Sequence, residues 1–600
     1  MISERLAIAD KNFSHYKKLG GFYLRDRQGI ALKSQELASE FKSIIGGLDI
    51  NESIDTSFKN IFTKNYFSAD FDESDILVFD EKLVSGLSAL HSERDFFNLG
   101  KIQIPESRNF FENNVFMRVA SSVRSYGLKM PKVREIFDFL EIPFSDWPDE
   151  IQNIFYGSLA RVSSPEYWLP TLWRIRCHWA GCRDTAKSLV HKKISPYISI
   201  RALREFAAAQ QRMKTFLEKN ELESDGDRIS LETAYNSGNS CPKNRRTELM
   251  VRLRHTAEFF TAEGLSGYFL TITLPSRYHA NHADGRENSR CRSIDPREAQ
   301  TELSRIWRNV GRKFARDKIF FAGFRFVEPH HDGVPHWHVV VWFRPQQADI
   351  ALKILRDRYC ERDFAEISHN PEIRFKSVPI DPERGAAAYC AAYVSKNIDG
   401  FQMDGDSEAG LDAVDGATRA TAWARLYRIR QFQSFGCVGA TSWRELRRLR
   451  TAPDCEPVLR DFWQAADDGD FGQFIRLSRE HGGVSLYRAD ADFSGCELRN
   501  QWGEKTAKIR GICLSASPLV RVQTRTRDWV IVPKQVENQS VSNAVRPEFV
   551  QGCGVAATPW TSGNNCPPSK RAEQGDLGFS IDHAHNNYRE APNAAARLRI

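Results

Sequence analysis

The chain has 600 residues, of which 41% are hydrophobic and 27% charged, and its formal net charge is +7. This length exceeds what one hydrophobic core usually organises, so we expect three or more folding units. No apolar run is long enough to cross a bilayer, and the first residues, Met1-Ile2-Ser3-Glu4-Arg5, lack the layout of a secretory signal. The composition therefore argues against a membrane protein and predicts a cytoplasmic one.

Composition divides the chain into five segments. Residues 1–150 are mixed and carry no motif, and residues 151–260 are predicted to be a mainly helical lead-in. Residues 261–400 hold the informative motifs, and residues 401–535 form a basic, aromatic region predicted to contact DNA. Residues 536–600 are rich in Asn, Ser, Pro and Gly with few recurring apolar side chains, which predicts a disordered tail.

Strands and helices are predicted to alternate through residues 261–400. The predicted strands are Gly267–Leu274, Ile319–Val327, His336–Phe343 and Ile373–Val378. Predicted helices begin after Asp295-Pro296, cover about 347–360, and run from Ala386 through Lys396 after Asp381-Pro382. This order predicts an α+β fold with helical flanking regions. Its centre is a split β-α-β-β-α-β unit, like a ferredoxin or an RNA-recognition module, whose antiparallel sheet is backed by helices.

The third predicted strand carries two histidines, His336 and His338. Because side chains alternate along a strand, both imidazoles point to one face, whereas Trp337 and Val339 point to the other, toward covering helices. We expect the two imidazoles to lie side by side on an open sheet face. They are predicted to bind a metal ion there.

A third metal ligand is expected from the hairpin that precedes His336. If Pro329 to Pro335 form one wide loop, Glu328 lies opposite His336, whereas a two-residue turn at Asp332-Gly333 would pair Glu328 with Trp337. Prolines cannot donate ladder hydrogen bonds, which favours the wider loop and Glu328 as the ligand. The alternative ligands are His330 and His331. One carboxylate with two neutral imidazoles suits Mg²⁺ or Mn²⁺.

The last predicted helix carries Tyr389 and Tyr393, four residues apart on one face, with Lys396 three residues further on. The neighbouring alanines are expected to leave these side chains without bulky neighbours. A phenolate can attack a phosphodiester and hold DNA as a phosphotyrosine, and Lys396 can offset charge on the phosphate. Neither the tyrosine pair nor the histidine pair suffices alone, but their combination predicts a nuclease.

A basic, aromatic stretch follows the tyrosine helix. Between Arg419 and Arg450 there are eight arginines and one acid, Glu445, and aromatic residues are interleaved with them. The aromatic residues are Trp423, Tyr427, Phe432, Phe435 and Trp443. Arginines with aromatic rings suit backbone phosphates and unstacked bases, although a charge run is more often a solvated helix face.

Together these motifs resemble the HUH endonuclease superfamily, named for a His–hydrophobic–His motif, and most of all the replication gene A protein family of tailed bacteriophages and prophages. The resemblance covers about residues 150–530. Its motifs are Asn244–Met250, Leu270–His279, Glu328–His338, Tyr389–Asn397, Arg430–Phe432 and Trp443–Arg447. His279, within the second motif, is expected to contact DNA or metal.

The resemblance implies a site- and strand-specific endonuclease that initiates rolling-circle replication. One tyrosine would take the 5′ phosphate, the freed 3′-OH would prime synthesis, and the second tyrosine would cut again before the strand is rejoined. Single-stranded origin DNA is the implied substrate, and a host DNA polymerase the implied partner. No Gly-x-x-x-x-Gly-Lys-Ser/Thr loop is present, so a host helicase is expected to unwind the DNA.

Three other protein classes share some of these motifs, and each would require a further sequence feature. A relaxase or transposase-type nickase shares the histidine motif, but relaxases usually place the tyrosine before the histidines. An RNA-recognition module would need aromatic rings where this chain has His336 and His338. A zinc hydrolase would need an acid soon after the pair, where Val339, Val340 and Val341 follow.

Overall fold

A computed structural model describes residues 2–12, 26–45, 119–132 and 146–534, apart from residues 382–384 and 407–408, with a few isolated positions at 16–19 and 135–139. The expected disordered tail at 536–600 and the predicted cap residue Pro382 lie outside these residues. The helices are α1 (Ile2–Asn12), α2 (Arg27–Ile45), α3 (Asp149–Val162), α4 (Pro165–Ala186), α5 (Ile200–Lys219), α6 (Leu231–Ser237), α7 (Pro242–Ala262), α8 (Pro296–Arg316), α9 (Pro345–Cys360), α10 (Gly385–Lys396), α11 (Ala413–Tyr427), α12 (Ala440–Leu446), α13 (Pro457–Asp467) and α14 (Phe471–His481). None of these helices is long and apolar enough to span a membrane.

Three antiparallel sheets accompany the helices, which confirms the α+β class. The strands are β1 (Asn220–Ser224), β2 (Asp227–Ser230), β3 (Ser266–Ile272), β4 (Phe321–Pro329), β5 (Pro335–Phe343), β6 (Phe375–Pro379), β7 (Phe432–Phe435), β8 (Val484–Ala489), β9 (Lys508–Leu514), β10 (Arg521–Gln523) and β11 (Val530–Pro533). The central sheet has the strand order β6-β3-β5-β4-β7. Without β7, this is the strand order of a split β-α-β-β-α-β unit, with α8 and α9 as its two helices. The edge strand β7 and the two small sheets, β11-β1-β2 and β10-β9-β8, were not predicted.

The chain forms two compact units. Among the described residues, one unit comprises those within 1–6, 181–488 and 509–534 and contains the central sheet, and the other comprises those within 7–180 and 489–508. In the second unit, α2 packs on α3, and both terminal nitrogens of Arg161 donate to the Glu504 carboxylate. In the first unit, the core on one face of the sheet draws residues from α7 and from α12 to α14 as well as from residues 261–400.

Helices cover both faces of the central sheet, which corrects the expectation of an open face beside the histidines. One face packs on α7 and α10 through side chains such as Phe269, Phe324 and Val340. The opposite face packs on α8 and α9, where the Trp337 ring lies 6.0 Å from that of Trp307. The apolar strands β4 and β5 are buried at nearly every position because they face helices on both sides.

The register of the β4–β5 hairpin settles which residues share a face. Glu328 pairs with His336, and Phe326 with His338, as the wider loop requires. The loop is shorter than expected, however, because Pro329 and Pro335 form the last pair of the ladder and only residues 330–334 connect the strands. Prolines are tolerated there because a strand end does not need their missing N–H groups.

Substitution of Gly323 by alanine is expected to destabilise the protein by roughly 2–3 kcal/mol or more, because a Cβ at this position in β4 would lie 1.9 Å from the Val340 carbonyl oxygen. Gly311, inside α8, provides the matched control, since the nearest atom to its Cβ would be 3.9 Å away. The Gly311→Ala variant should gain about 0.5–1 kcal/mol from helix propensity. Urea unfolding of both variants tests this, and equal stabilities would contradict it.

Candidate active site

The hairpin register brings together the three side chains predicted as metal ligands. The ligand atoms of Glu328, His336 and His338 all lie within 4.8 Å of one another. All three residues are buried, with exposures of 1%, 4% and 6%. Such a grouping of one carboxylate and two imidazoles is costly to bury unless the charge is compensated by a cation.

The two imidazoles have the spacing of neighbouring ligands on one ion. His336 Nε2 and His338 Nε2 are 3.0 Å apart. Two nitrogens at right angles around an ion with bonds of about 2.1 Å would be about 3.0 Å apart. The Thr271 hydroxyl lies 3.3 Å from His338 Nδ1 and can accept its proton, which leaves Nε2 as the coordinating atom. The residues present therefore fit a divalent cation.

Hydrogen bonds from the end of the tyrosine helix α10 orient the Glu328 carboxylate. Asn397 Nδ2 donates to Glu328 Oε1 at 2.6 Å, and Lys396 Nζ lies 3.3 Å from Oε2. The same ammonium lies 3.4 Å from Asp406 Oδ1, and Tyr197 donates its hydroxyl to Asp406 Oδ2 at 2.7 Å. Lys396 is thus fixed between two buried carboxylates beside the ligand group, contacts that the sequence did not predict.

Helix α10 also places one of its tyrosines against the ligand group. The Tyr393 ring lies 4.0 Å from the His338 ring and 5.4 Å from the Phe269 ring. The Tyr389 ring lies one helical turn away, 6.2 Å from Phe269. The neighbouring alanines therefore do not leave the tyrosines without bulky neighbours, because Phe269 projects from β3 between them. Both tyrosines are only half-buried.

A buried aspartate, Asp332, pairs with the partly exposed His279 beside the ligand group. The two carboxylate oxygens of Asp332 lie 3.2 and 3.3 Å from His279 Nδ1. The His330 ring stacks on that of His336, with the ring centres 4.1 Å apart, and lies tilted at 5.3 Å from that of His279. His330 and His331, the alternative third ligands, do not belong to the close ligand group, so the geometry favours Glu328. Burial acts to raise the pKa of Asp332, but His279, by charge and hydrogen bond, and then His331 and His330 outweigh it, so the pKa lies well below its usual range.

The Asp332→Asn variant should unfold with a free energy about 1–2 kcal/mol lower near pH 7, since its amide oxygen can still accept from His279 but the negative charge that strengthens this buried hydrogen bond is lost. A depressed folded pKa adds stability that is fully present above the unfolded value of about 3.9 and is lost as the pH falls toward the folded value. The difference between wild type and variant, measured by urea unfolding near pH 7 and pH 3, should therefore shrink in acid. A difference that stays constant or grows in acid would contradict this assignment.

The basic, aromatic stretch is more structural than the sequence suggested. Trp423, Tyr427 and Trp443 are buried, and these rings cannot stack on bases without unfolding the core. Trp423 Nε1, for example, donates to the Gly333 carbonyl at 2.8 Å and so holds the ligand hairpin in place. Arg444 binds Glu248 through two nitrogens. Periodicity could not separate these packing residues from exposed ones because α11 is covered on both sides.

The sequence did not predict the residues that orient the metal ligands and Lys396. Asn397 was visible only as part of a motif, although its position four residues after Tyr393 places it on the same helical face. Thr271 could have been found from the β3–β5 pairing, which sets it opposite His338. Asp406 and Tyr197 carried no local signal, because they come from segments distant in sequence and meet Lys396 only in the folded chain.

The segment that carries the candidate site is similar in sequence to phage replication proteins. Residues 115–401, which include the ligand group and α10, match the bacteriophage replication gene A protein family. The replication gene A protein of Escherichia phage 186 is 33% identical over 427 residues, which cover 69% of this chain and 60% of the relative. That of Escherichia phage P2 is 33% identical over 435 residues, 68% of this chain and 55% of the relative.

Prophage proteins show a similar degree of likeness. A probable replication endonuclease from prophage-like region 1 of Salmonella typhi is 32% identical over 449 residues, which cover 71% of this chain and 54% of the relative. The chain thus aligns with somewhat more than half the length of these relatives. No solved structure gives a significant match.

Proposed function

The chain belongs to the bacteriophage replication gene A protein family, and we propose that it is a metal-dependent endonuclease that nicks one DNA strand through a tyrosine to initiate rolling-circle replication of phage DNA. The observation that carries this proposal is the contact between the Tyr393 ring and His338, a member of the Glu328–His336–His338 group. A nucleophile on helix α10 thereby lies next to a cation site on strands β4 and β5. The names of the relatives, replication gene A protein and replication endonuclease, agree with the proposal.

Glu328, His336 and His338 would hold one Mg²⁺ or Mn²⁺ ion, with Thr271 and Asn397 fixing the orientation of two of these ligands. When bound, the ion supplies Lewis-acid polarisation of the scissile phosphate. Two neutral imidazoles and one carboxylate leave coordination positions for phosphate oxygens, as nuclease chemistry requires. The ligand set lacks the thiolates that would favour zinc or copper(I).

The tyrosine of α10 forms one bond as another breaks. Its phenolic oxygen, having lost its proton, attacks the phosphorus, and the bond from phosphorus to the 3′ oxygen breaks. The 3′ oxygen takes up a proton to give a free 3′-OH, and the 5′ phosphate remains on the tyrosine. The free 3′-OH is the primer for synthesis, and its later attack on a phosphotyrosine reverses the reaction and rejoins the strand.

Lys396 and its partners contribute electrostatics to this step. Its ammonium is fixed 3.3 Å from Glu328, so positive charge lies beside the ligand group before DNA binds. Preorganised charge of this kind stabilises a transition state without the cost of reorienting the group during the reaction. Asp406 balances the ammonium from the far side, which keeps Lys396 in place.

Two tyrosines one helical turn apart allow two strand transfers within one site. After one tyrosine holds a 5′ end, the other remains available to cut again when a replicated strand returns to the site. Single-stranded origin DNA is the proposed substrate, and a host replicative helicase and DNA polymerase are the proposed partners. No helicase loop motif is found in the sequence, which supports the need for a separate unwinding enzyme.

An RNA-recognition module is a weaker alternative. Such modules stack bases on an exposed sheet face, but here α7 and α10 cover the face that carries His336 and His338, and α8 and α9 cover the other. A relaxase or transposase-type nickase would share the proposed chemistry. Only its biological context would differ from that of a replication initiator.

The test is covalent trapping on DNA. Purified full-length protein is incubated with Mn²⁺ and overlapping single-stranded oligonucleotides that cover the phage or prophage genome around its gene, and the products are run on a denaturing gel. One oligonucleotide should give a protein–DNA adduct together with a shorter fragment that has a free 3′-OH. No adduct with any oligonucleotide of either strand would overturn the proposal.

A further inference from the structure

A group of arginine and phenylalanine side chains lies at the C-terminal end of the tyrosine helix α10. Arg246, on α7, binds the Asp399 carboxylate at 2.5 Å, three residues after α10 ends at Lys396. The same guanidinium lies 3.7 Å from the centre of the Phe401 ring. Phe401 is nevertheless 48% exposed, so a large part of its ring remains available for a ligand.

A second pair of side chains from α5 and α11 extends this group. The exposed Arg425 lies 5.4 Å from the centre of the Phe206 ring and donates to Gln210 at 2.8 Å. Of α5, which the structure describes in full, only Ala202 is buried, so Phe206 is only partly covered. The arginine–phenylalanine surface is defined here as Arg245, Arg246, Arg425, Phe206 and Phe401.

Arg245, like Arg425, has no carboxylate at ion-pair distance among the residues that the structure describes, and it is the more buried of the two. Its Nε atom is buried and has no hydrogen-bond acceptor within the described part of the chain. Burial, and then the charge of Arg425, lowers the pKa of Arg245. The nearby Asp399 is already bound by Arg246. A half-buried guanidinium beside a second one is a site that an anion would stabilise.

We infer that the arginine–phenylalanine surface binds single-stranded DNA, with a backbone phosphate between Arg245 and Arg425 and an unstacked base on the exposed part of Phe401. Arginines beside accessible aromatic rings match the two features of a single strand, its phosphates and its bare base faces. A duplex offers phosphates but keeps its bases stacked, so the surface should prefer a single strand. The inference rests on the proposed function, because the surface adjoins α10 and would hold the strand next to the tyrosines.

The test measures binding apart from nicking. The full-length protein carrying Tyr389→Phe and Tyr393→Phe is titrated, in chelator and without divalent metal, against a fluorescein-labelled twelve-nucleotide oligothymidylate. Adding Arg245→Gln and Arg425→Gln should weaken binding at least about tenfold and make the slope of log affinity against log salt shallower by about 0.7, for the one phosphate that the two arginines contact. Phe401→Ala should weaken binding roughly 5- to 100-fold, and Phe401→Trp should retain it.

The control is the matched pair Arg254→Gln and Arg316→Gln, which removes the same charge from exposed positions on α7 and α8. It should leave the affinity within about twofold, and thermal unfolding checks that all variants are folded. Unchanged affinity and salt slope in the Arg245→Gln, Arg425→Gln protein would overturn the inference, as would equal binding of a duplex.

The two proposals can fail separately. If the wild type forms no adduct but these effects on binding appear, the DNA-binding surface is supported and the nuclease proposal is contradicted. If the adduct forms but these effects on binding do not appear, the nuclease proposal is supported and the DNA-binding surface is contradicted.

Discussion

Replacing both tyrosines of α10 by phenylalanine is expected to abolish the covalent protein–DNA adduct and to lower the rate of nicking by at least about 10³-fold. Each change removes only a hydroxyl, so the packing of the rings on Phe269 and His338 is retained. No other nucleophile replaces a missing phenolic oxygen, and residual cleavage would come from water alone. The measurement is a single-turnover time course with Mn²⁺ on a denaturing gel.

The two single variants should differ. Tyr393 lies against a proposed metal ligand, whereas Tyr389 lies one turn further along the helix, so Tyr393→Phe should lose more of the first cleavage. Tyr389→Phe should still nick but should fail to release and transfer a second end. Tyr268→Phe is the matched control, because Tyr268 faces the opposite side of the sheet beside Phe343. Full activity and adduct formation in the double variant would exclude tyrosine catalysis.

The order of strands and helices in the central unit was predictable because its elements are long and strongly patterned. Pro345 and the Asp295-Pro296 pair mark helix starts, and the Asp295 side chain accepts a hydrogen bond from the Arg297 N–H as a cap should. The edge strand β7 was not predicted. Its four residues pair with β4 from a position about a hundred residues later, and nothing in their local sequence indicates that partner.

The part of the candidate site that depends on which side chains share a face of the sheet was predictable. The alternation of side chains along β5 alone places His336 and His338 on one face. Pro329 and Pro335 favoured the wider hairpin loop, and this loop sets Glu328 opposite His336 as the third metal ligand. The burial of this face was not predictable, because α7 lies outside the segment that carries the strand pattern and packs on it through tertiary contacts. For the same reason, the sequence shows that Lys396 shares a helical face with Tyr393, but it does not show that Glu328 and Asp406 hold this lysine in the fold.

Removal of one proposed metal ligand should uncouple metal binding from DNA binding. In His338→Ala the ion loses a direct ligand, and Mn²⁺ affinity, measured by isothermal titration calorimetry, should fall at least about 100-fold. Nicking should fall with it, since the ion polarises the phosphate. Affinity for single-stranded DNA in chelator should stay within about threefold, because phosphate contacts are spread over many basic residues away from the ligand group.

Glu328→Gln separates a metal role from a packing role at the same position. Glutamine preserves the side-chain size, and its carbonyl oxygen can still accept from Asn397, while Lys396 keeps its contact with Asp406 at 3.4 Å. The variant should therefore fold, as judged by thermal unfolding, yet bind Mn²⁺ weakly, since it loses the only negative charge of the ligand group. His369→Ala, at an exposed position, should change neither property. Wild-type Mn²⁺ affinity in both Glu328→Gln and His338→Ala would rule out the metal site and would leave the contacts with Lys396 and Asn397 as the only role of the buried Glu328 within the described residues.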